Sequence, residues 1–205
     1  MELGNNRIVP VVVIEQAERA AVLGEALVAG GIPVAEVTLR TAAGLDSIAE
    51  MAKNPDLLVG AGTVITADQV DRVVEVGARF IVSPGLNPRV VERALEHGID
   101  VVPGAVTPSE IMTALELGLT TLKFFPANVY GGPSALKALG APFGNVSFIP
   151  TGGVSTTNIA EYLALKNVVA VGGSWMVPAN LINDGEFDTI RQLCTDAVAA
   201  IQGDN

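Results

Sequence analysis

Thr121-Leu122-Lys123-Phe124-Phe125-Pro126-Ala127 sets one lysine inside a run of apolar and β-branched residues. The chain has four lysines, and Lys53, Lys137 and Lys166 lie in polar or helix-like surroundings where an ammonium stays hydrated. Side chains alternate faces along a strand, so Thr121, Lys123 and Phe125 share one side while Leu122 and Phe124 take the other. An apolar surround disfavours a charged form, and the neutral amine is the form that attacks a carbonyl carbon. A lysine at a strand end can instead snorkel its charge into water. The stretch by itself supports both readings equally.

A second polar stripe stands in Val34-Ala35-Glu36-Val37-Thr38-Leu39-Arg40. Glu36, Thr38 and Arg40 share one parity, and Val37 and Leu39 share the other. Such a stripe is also what an internal ion pair or a solvated edge strand would show. If helices cover the apolar face, a functional role for Glu36 and Arg40 is favoured.

Glycines mark further candidates. Gly60-Ala61-Gly62-Thr63 would let backbone approach a ligand and offers the Thr63 hydroxyl, although glycine-rich turns are common for steric reasons alone. Ser83-Pro84-Gly85 and Pro103-Gly104 read as tight turns. Pro150-Thr151-Gly152-Gly153 and Gly172-Gly173-Ser174-Trp175 each contain paired glycines. Two such pairs after the last two strands of a barrel are the expected form of a phosphate cradle, in which bare backbone N–H groups hold the dianion.

These groups act together only if the chain brings them to one place. Apolar β-branched runs at 8–14, 34–39, 57–61, 80–83, 101–103, 121–125, 147–150 and 168–172 alternate with amphipathic segments along the whole chain. Helices are expected to begin near Ala17, Ala43, Ala67, Pro88, Pro108, Pro133, Thr156 and Glu186. Several have a Ser, Thr, Asn or Asp cap, or Pro in the first turn. Gly30-Gly31, Gly77, Gly98, Gly118 and Gly140 supply stops. Eight βα units without a domain-scale linker predict an α/β fold: a single-domain (β/α)8 TIM barrel over residues 1–205, with 1–7 as a short N-terminal extension. An open doubly wound sheet is the runner-up. At 205 residues the chain is short for a barrel, so its loops must be tight.

Composition narrows the function classes. Hydrophobic residues make up 49% and charged residues 17%, which suits a compact fold. A net charge of −10 without a basic cluster argues against nucleic acid or an anionic membrane as partner, so an anionic substrate must be met locally. The single cysteine, Cys194, reads as a core residue in a reducing compartment. The single histidine, His97, reads as a surface or capping residue ahead of Gly98. One histidine and no cysteine pair leave too few ligands for a usual zinc site, and no acidic motif suggests magnesium. The amino terminus has no basic leader and the run at 8–14 is too short to span a membrane, so a cytoplasmic protein is expected.

A barrel lysine, an inward carboxylate, an arginine and a phosphate cradle together describe Schiff-base chemistry on a phosphorylated oxo acid or sugar. The amine forms an iminium that acts as an electron sink. Arginine holds a carboxylate by two parallel bonds, and the glutamate moves protons directly or through water.

Glu36-Val37-Thr38-Leu39-Arg40-Thr41, Gly60-Ala61-Gly62-Thr63-Val64, Ser83-Pro84-Gly85, Lys123-Phe124-Phe125-Pro126-Ala127 and Pro150-Thr151-Gly152-Gly153 occur in this order. With them the chain resembles the 2-dehydro-3-deoxy-6-phosphogluconate (KDPG) and 4-hydroxy-2-oxoglutarate aldolase family, from Ile8 to Trp175. The resemblance implies a homotrimeric barrel and a class I aldolase that yields pyruvate and glyceraldehyde 3-phosphate without cofactor or metal. It implies Lys123 as the Schiff-base lysine and Glu36 as acid/base. Arg40 and Thr63 become pyruvate-side contacts, Pro84 and Phe125 line the pocket, and Thr151 meets a substrate hydroxyl. Gly152, Gly153, Gly173 and Ser174 become the phosphate-binding residues.

Many relatives carry an acidic residue where this chain has Asn128. Relatives acting on the galactonate epimer have an apolar residue near Thr151, so the threonine leans toward the gluconate substrate. Three alternatives stand beside this reading: a galactonate-specific aldolase, a non-covalent phosphosugar isomerase or synthase, and a binding barrel without activity.

Overall fold

The structure, a computed structural model, describes residues 6–202. Eight parallel strands alternate with helices. The strands are β1 (Ile8–Val12), β2 (Val34–Thr38), β3 (Leu58–Gly62), β4 (Phe80–Val82), β5 (Asp100–Val102), β6 (Thr121–Phe124), β7 (Ser147–Pro150) and β8 (Val171–Gly173). The helices are α1 (Ala20–Ala29), α2 (Gly44–Met51), α3 (Ala67–Glu75), α4 (Pro88–Glu96), α5 (Pro108–Glu116), α6 (Gly132–Gly140), α7 (Ile159–Leu163), α8 (Ala179–Asp184) and α9 (Phe187–Gln202).

Regular ladders run β5-β4-β3-β2-β1-β8 and β6-β7. Two narrower seams close the circle. At one, the Lys123 N–H donates to the Pro103 carbonyl and the Ala105 N–H to the Lys123 carbonyl, both at 2.9 Å. At the other, Thr151 bridges Gly172 and the Val169 N–H donates to the Phe148 carbonyl at 3.1 Å. The sheet is therefore a closed barrel rather than the open sheet weighed as runner-up.

Most predicted starts hold because local chemistry enforces them. Thr66 and Thr107 form capping boxes with Gln69 and Glu110, and Asn87 caps α4 ahead of Pro88. Burial pushes the Glu110 carboxyl up, but the N–H of Val106 and the hydroxyl and N–H of Thr107 outweigh it and hold the group below its ordinary value. Gly31, Gly77, Gly98 and Gly118 adopt positive φ as stops, whereas Gly140 does not. Gly140 instead gives close room to the Asn167 amide.

Some elements differ from the sequence expectation. The last strand is Val171–Gly173 rather than 168–172, because Val168 is engaged in a separate bridge to Phe148. The seventh helix starts at Ile159 rather than near Thr156, since Asn158 Oδ1 accepts from the Ser155 N–H and holds a turn there. Helix α8 was not expected. Pro178 and Gly185 punctuate it within six residues, too short for a periodic signal. Residues 1–5 of the predicted extension lie outside the described residues. Arg7 does not trail free: its carbonyl accepts from Val171 at 2.9 Å and its Nη2 donates to the Leu163 carbonyl at 3.0 Å.

The core lies between sheet and helices. Ala35, Val37, Val59, Ala61, Ile81, Leu122, Phe124 and Phe148 share the outward parity and are buried. Phe124 and Phe148 meet edge to face with centroids 6.2 Å apart. His97 caps α4, and its Nε2 lies 2.6 Å from Asp71 Oδ1, which also accepts from Arg93 Nε. These bonds, from Arg93 first and then His97, hold the Asp71 carboxyl below its ordinary value. Among the described residues no helix is long and apolar enough to cross a membrane.

Candidate active site

Register decides which side chains face inward. Val11 pairs with Glu36 and Glu36 with Gly60; Gly104 pairs with Lys123 and Lys123 with Ile149. Paired residues on parallel strands project to the same face. β2 and β6 are four strands apart in a barrel of eight, so side chains on them can meet only inside. They do meet: Lys123 Nζ donates to Glu36 Oε1 at 3.1 Å, and each residue is 3% exposed. The snorkelling alternative for Lys123 is therefore ruled out by burial. The amine also stands 5.1 Å from the centroid of Phe125, which keeps the parity of Lys123 past the strand end.

Room for the pair comes from β3. A Cβ on Gly62 would collide with the Glu36 carboxylate, and one on Gly60 would collide with the Phe80 ring, which is itself buried. The two glycines, two residues apart on the inward face, thus admit an acid above and an aromatic floor beneath. The sequence reading treated them as room for a ligand; the i, i+2 spacing beside Glu36 was the available signal that they serve neighbouring side chains.

Arg40 is placed differently from its parity. β2 ends at Thr38, so alternation no longer governs residue 40, which stands exposed in the turn that follows. Its Nε donates to Thr63 Oγ1 at 3.2 Å, and its terminal nitrogens have no hydrogen-bond partner among the described residues. Thr63 follows β3 with φ +60, a left-handed conformation that β-branched residues rarely adopt. Thr38, of the same parity as Glu36, is structural: its hydroxyl donates to the Val12 carbonyl at 2.9 Å.

Thr151 and the paired glycines follow at the same end of the barrel. Thr151 is buried, and Gly172 on the adjoining strand gives room to its hydroxyl. Gly152 and Gly153 have φ of +93 and +75, and Gly173 lies beneath the Trp175 ring with Ser174 exposed beside it. Pro84 is exposed, and its carbonyl closely approaches the bare Cα of Gly104. Lys123 contacts Glu36 and Phe125 directly, and Arg40 with Thr63 forms a second, separate hydrogen-bonded pair. Pro84, Thr151, Gly152, Gly153, Gly173 and Ser174 ring the same C-terminal strand ends without a bond to the ion pair.

A cavity of about 540 Å³ elsewhere is lined by Lys137, Val146, Ser147, Lys166 and Asn167. It opens at the amino-terminal end of β7, the face opposite Lys123. Barrel chemistry is performed at carboxyl-terminal strand ends, so the ion pair rather than this hollow is the candidate site. Cys194 takes no part: it is fully buried, and burial pushes its thiol up to about 12.

Residues 1–193 match the family described as "KDPG and KHG aldolase". The KHG/KDPG aldolase of Escherichia coli K12 is 47% identical over 192 residues, covering 93% of this chain and 90% of that protein. Among solved structures, Legionella pneumophila KDPG aldolase with pyruvate captured as a covalent carbinolamine intermediate superposes with a TM-score of 0.92. The two are 43% identical, and 95% of each chain is covered. The Zymomonas mobilis enzyme with 3-phosphoglycerate gives a TM-score of 0.89 at 41% identity, with coverage of 95% and 92%.

Proposed function

The chain belongs to the KDPG and KHG aldolase family, and we propose that it cleaves 2-dehydro-3-deoxy-6-phosphogluconate to pyruvate and glyceraldehyde 3-phosphate as a class I aldolase. It also acts on 4-hydroxy-2-oxoglutarate, as the name of the E. coli relative indicates for that protein. The observation that carries the reading is the buried contact of 3.1 Å between Lys123 Nζ and Glu36 Oε1.

The steps use this chain's own groups. Glu36 takes a proton from the Lys123 ammonium, and the freed amine attacks the C2 carbonyl carbon of the oxo acid. The resulting carbinolamine loses water, with Glu36 returning the proton to the departing hydroxyl, and an iminium forms. Glu36, through a water, then removes the C4 hydroxyl proton. The C3–C4 bond breaks, its electron pair moves to C3 as an enamine, and glyceraldehyde 3-phosphate leaves. Protonation of C3 and hydrolysis of the iminium release pyruvate and restore the amine. No metal or cofactor enters these steps.

Positioning follows from the same geometry. Arg40, aimed by Thr63, binds the substrate carboxylate, and Phe125 and Pro84 wall the three-carbon end. Thr151 meets a hydroxyl of the chain. Gly152, Gly153, Gly173 and Ser174 hold the phosphate through backbone N–H groups and the serine hydroxyl. The protein acts in the cytoplasm as a homotrimer, an assembly supported by the family resemblance and tested by sedimentation. Residues 1–205 form one domain in this reading.

Incubation with pyruvate and borohydride tests the chemistry. A reduced three-carbon adduct is expected on Lys123 by peptide mass mapping; an unmodified Lys123 after complete reduction sinks the Schiff-base mechanism.

A further inference from the structure

Arg40 stands two residues past the end of β2, beyond the regular ladders of the sheet. On its amino-terminal side the Leu39 N–H donates to the Gly62 carbonyl at 2.9 Å and carries the pairing with β3 one step further. On its carboxyl-terminal side Thr41 reaches the other way. Its hydroxyl donates to the carbonyl of Ile14 at 2.5 Å, and Ile14 is a fully buried residue past the end of β1. Regular pairing of β1 with β2 stops at Val12 and Val37. From there two threonine hydroxyls keep the segments together, Thr38 on the Val12 carbonyl and Thr41 on the Ile14 carbonyl. The Thr41 carbonyl in turn accepts from the Gly44 N–H at 3.3 Å, at the start of α2. That helix end sits tightly on the strand, since a Cβ on Gly44 would lie 2.6 Å from the Thr38 carbonyl oxygen.

Arg40 is thus carried between one neighbour fastened to β3 and another fastened to the segment after β1, while its own Nε is bonded to Thr63. We infer that Thr41 is a positioning residue for Arg40, an inference that rests on the aldolase reading above and its assignment of Arg40 to the substrate carboxylate. A guanidinium holds a carboxylate at full strength only when two parallel bonds are met together, so its grip depends on where its backbone stands. Arginine is also rich in rotamers, and each added freedom at its base must be lost again on binding. The Thr41 hydroxyl removes that freedom from the β1 side. Thr41 acts through Arg40 and not on the substrate.

The test compares Thr41→Val, which keeps the shape and loses the hydroxyl, with Thr41→Ser, which keeps the hydroxyl. Each is made in the wild type and together with Arg40→Ala, and all are measured where circular dichroism shows a folded chain. Thr41→Ala takes the place of Thr41→Val if the valine variant does not fold. The pyruvate concentration that half-saturates borohydride trapping should rise about fivefold in Thr41→Val, the loss of one hydrogen bond. In Thr41→Ser it should stay within about twofold of the wild type. Arg40→Ala should raise it about tenfold or more, and adding Thr41→Val should then change it less than about twofold. Wild-type trapping by Thr41→Val overturns the inference. A fivefold loss that persists beside Arg40→Ala also overturns it, because the hydroxyl would then support the fold and not the arginine. Wild-type trapping by Arg40→Ala removes the carboxylate contact from the function proposed above, and this inference with it. A wild type that traps no pyruvate sinks the aldolase reading as a whole.

Discussion

The Glu36 carboxylate occupies the space that a side chain on Gly62 would need, on the neighbouring strand and at the paired register of Thr38. The acid can therefore reach across the barrel to Lys123 only because β3 has no Cβ at that point. Gly62→Ala is expected to displace the carboxylate while leaving the helices intact. Misplacing a catalytic group by about 1 Å costs roughly 100-fold in rate, so kcat should fall by about that factor. Wild-type kcat with an unchanged melting temperature would show that Glu36 does not need its present position.

Lys123→Ala removes the proposed nucleophile and strands a buried carboxylate. Cleavage and pyruvate trapping should both disappear, with the circular dichroism spectrum retained. Breaking a buried pair by truncating one partner costs about 3–5 kcal/mol, mostly because the other charge is left uncompensated. Adding Glu36→Gln to Lys123→Ala should therefore recover stability rather than lose more. Thermal melts of the two single variants and the double variant give the coupling; simple additivity would mean that the pair is not closed in solution.

Glu36→Gln alone should lower kcat for both phosphorylated and unphosphorylated substrates and leave KM nearly unchanged. Proton transfer contributes about 10²–10⁴-fold, and a fall in that range is expected. A defect confined to KM would remove the acid/base role.

Thr63 carries a left-handed φ of +60 and accepts the Arg40 Nε bond. Strain of this kind costs on the order of 1–3 kcal/mol, and glycine relieves it at some cost in chain entropy. Thr63→Gly should raise thermal stability by about 1 kcal/mol while raising the pyruvate concentration needed for half-maximal trapping. Lower stability together with unchanged trapping would refute both the strain and the positioning role.

Cys194 lies at the contact of α9 with the end of α1, where a Cβ on Gly30 would strike it. Its thiol, raised from 9.0 to about 12 by burial, stays protonated in the native chain over a range where the unfolded chain has lost the proton. The native state then binds more protons, so this contribution is full below pH 9 and is lost as pH rises toward about 12. Native protein should resist thiol reagents at pH 8 and react on addition of denaturant. Cys194→Ala should lose stability less steeply between pH 9 and 10.5; an identical slope would assign the alkaline loss to other groups.

The proposed phosphate cradle offers a substrate test as well. Thr151 is buried, with its hydroxyl close to Gly172. With the gluconate and galactonate epimers compared under one condition, the gluconate epimer should be cleaved faster, and Thr151→Val should narrow the difference. Equal rates in the wild type would leave Thr151 without a role in choosing the epimer.

The sequence by itself determined the eight βα units and the phase of β2 and β6, because polar residues at alternate positions in those two strands impose a period that can be read residue by residue. That phase already placed Glu36 on one inward face and Lys123 on another, and the punctuation at Thr66, Asn87 and Thr107 set where helices begin. Only the tertiary structure decided that those faces meet. Closure depends on the narrow seams at Lys123 and Thr151 and on the pairing of β1 with β8 from the far end of the chain, none of which leaves a periodic trace. Arg40 escaped its parity because β2 stops two residues earlier, and α8 was too short to show a period. The left-handed turn at Thr63 and the bond of Thr41 to the Ile14 carbonyl likewise depend on neighbours from other strands. Local pattern fixes which way a side chain points; what it touches is set by the register and closure of the whole barrel.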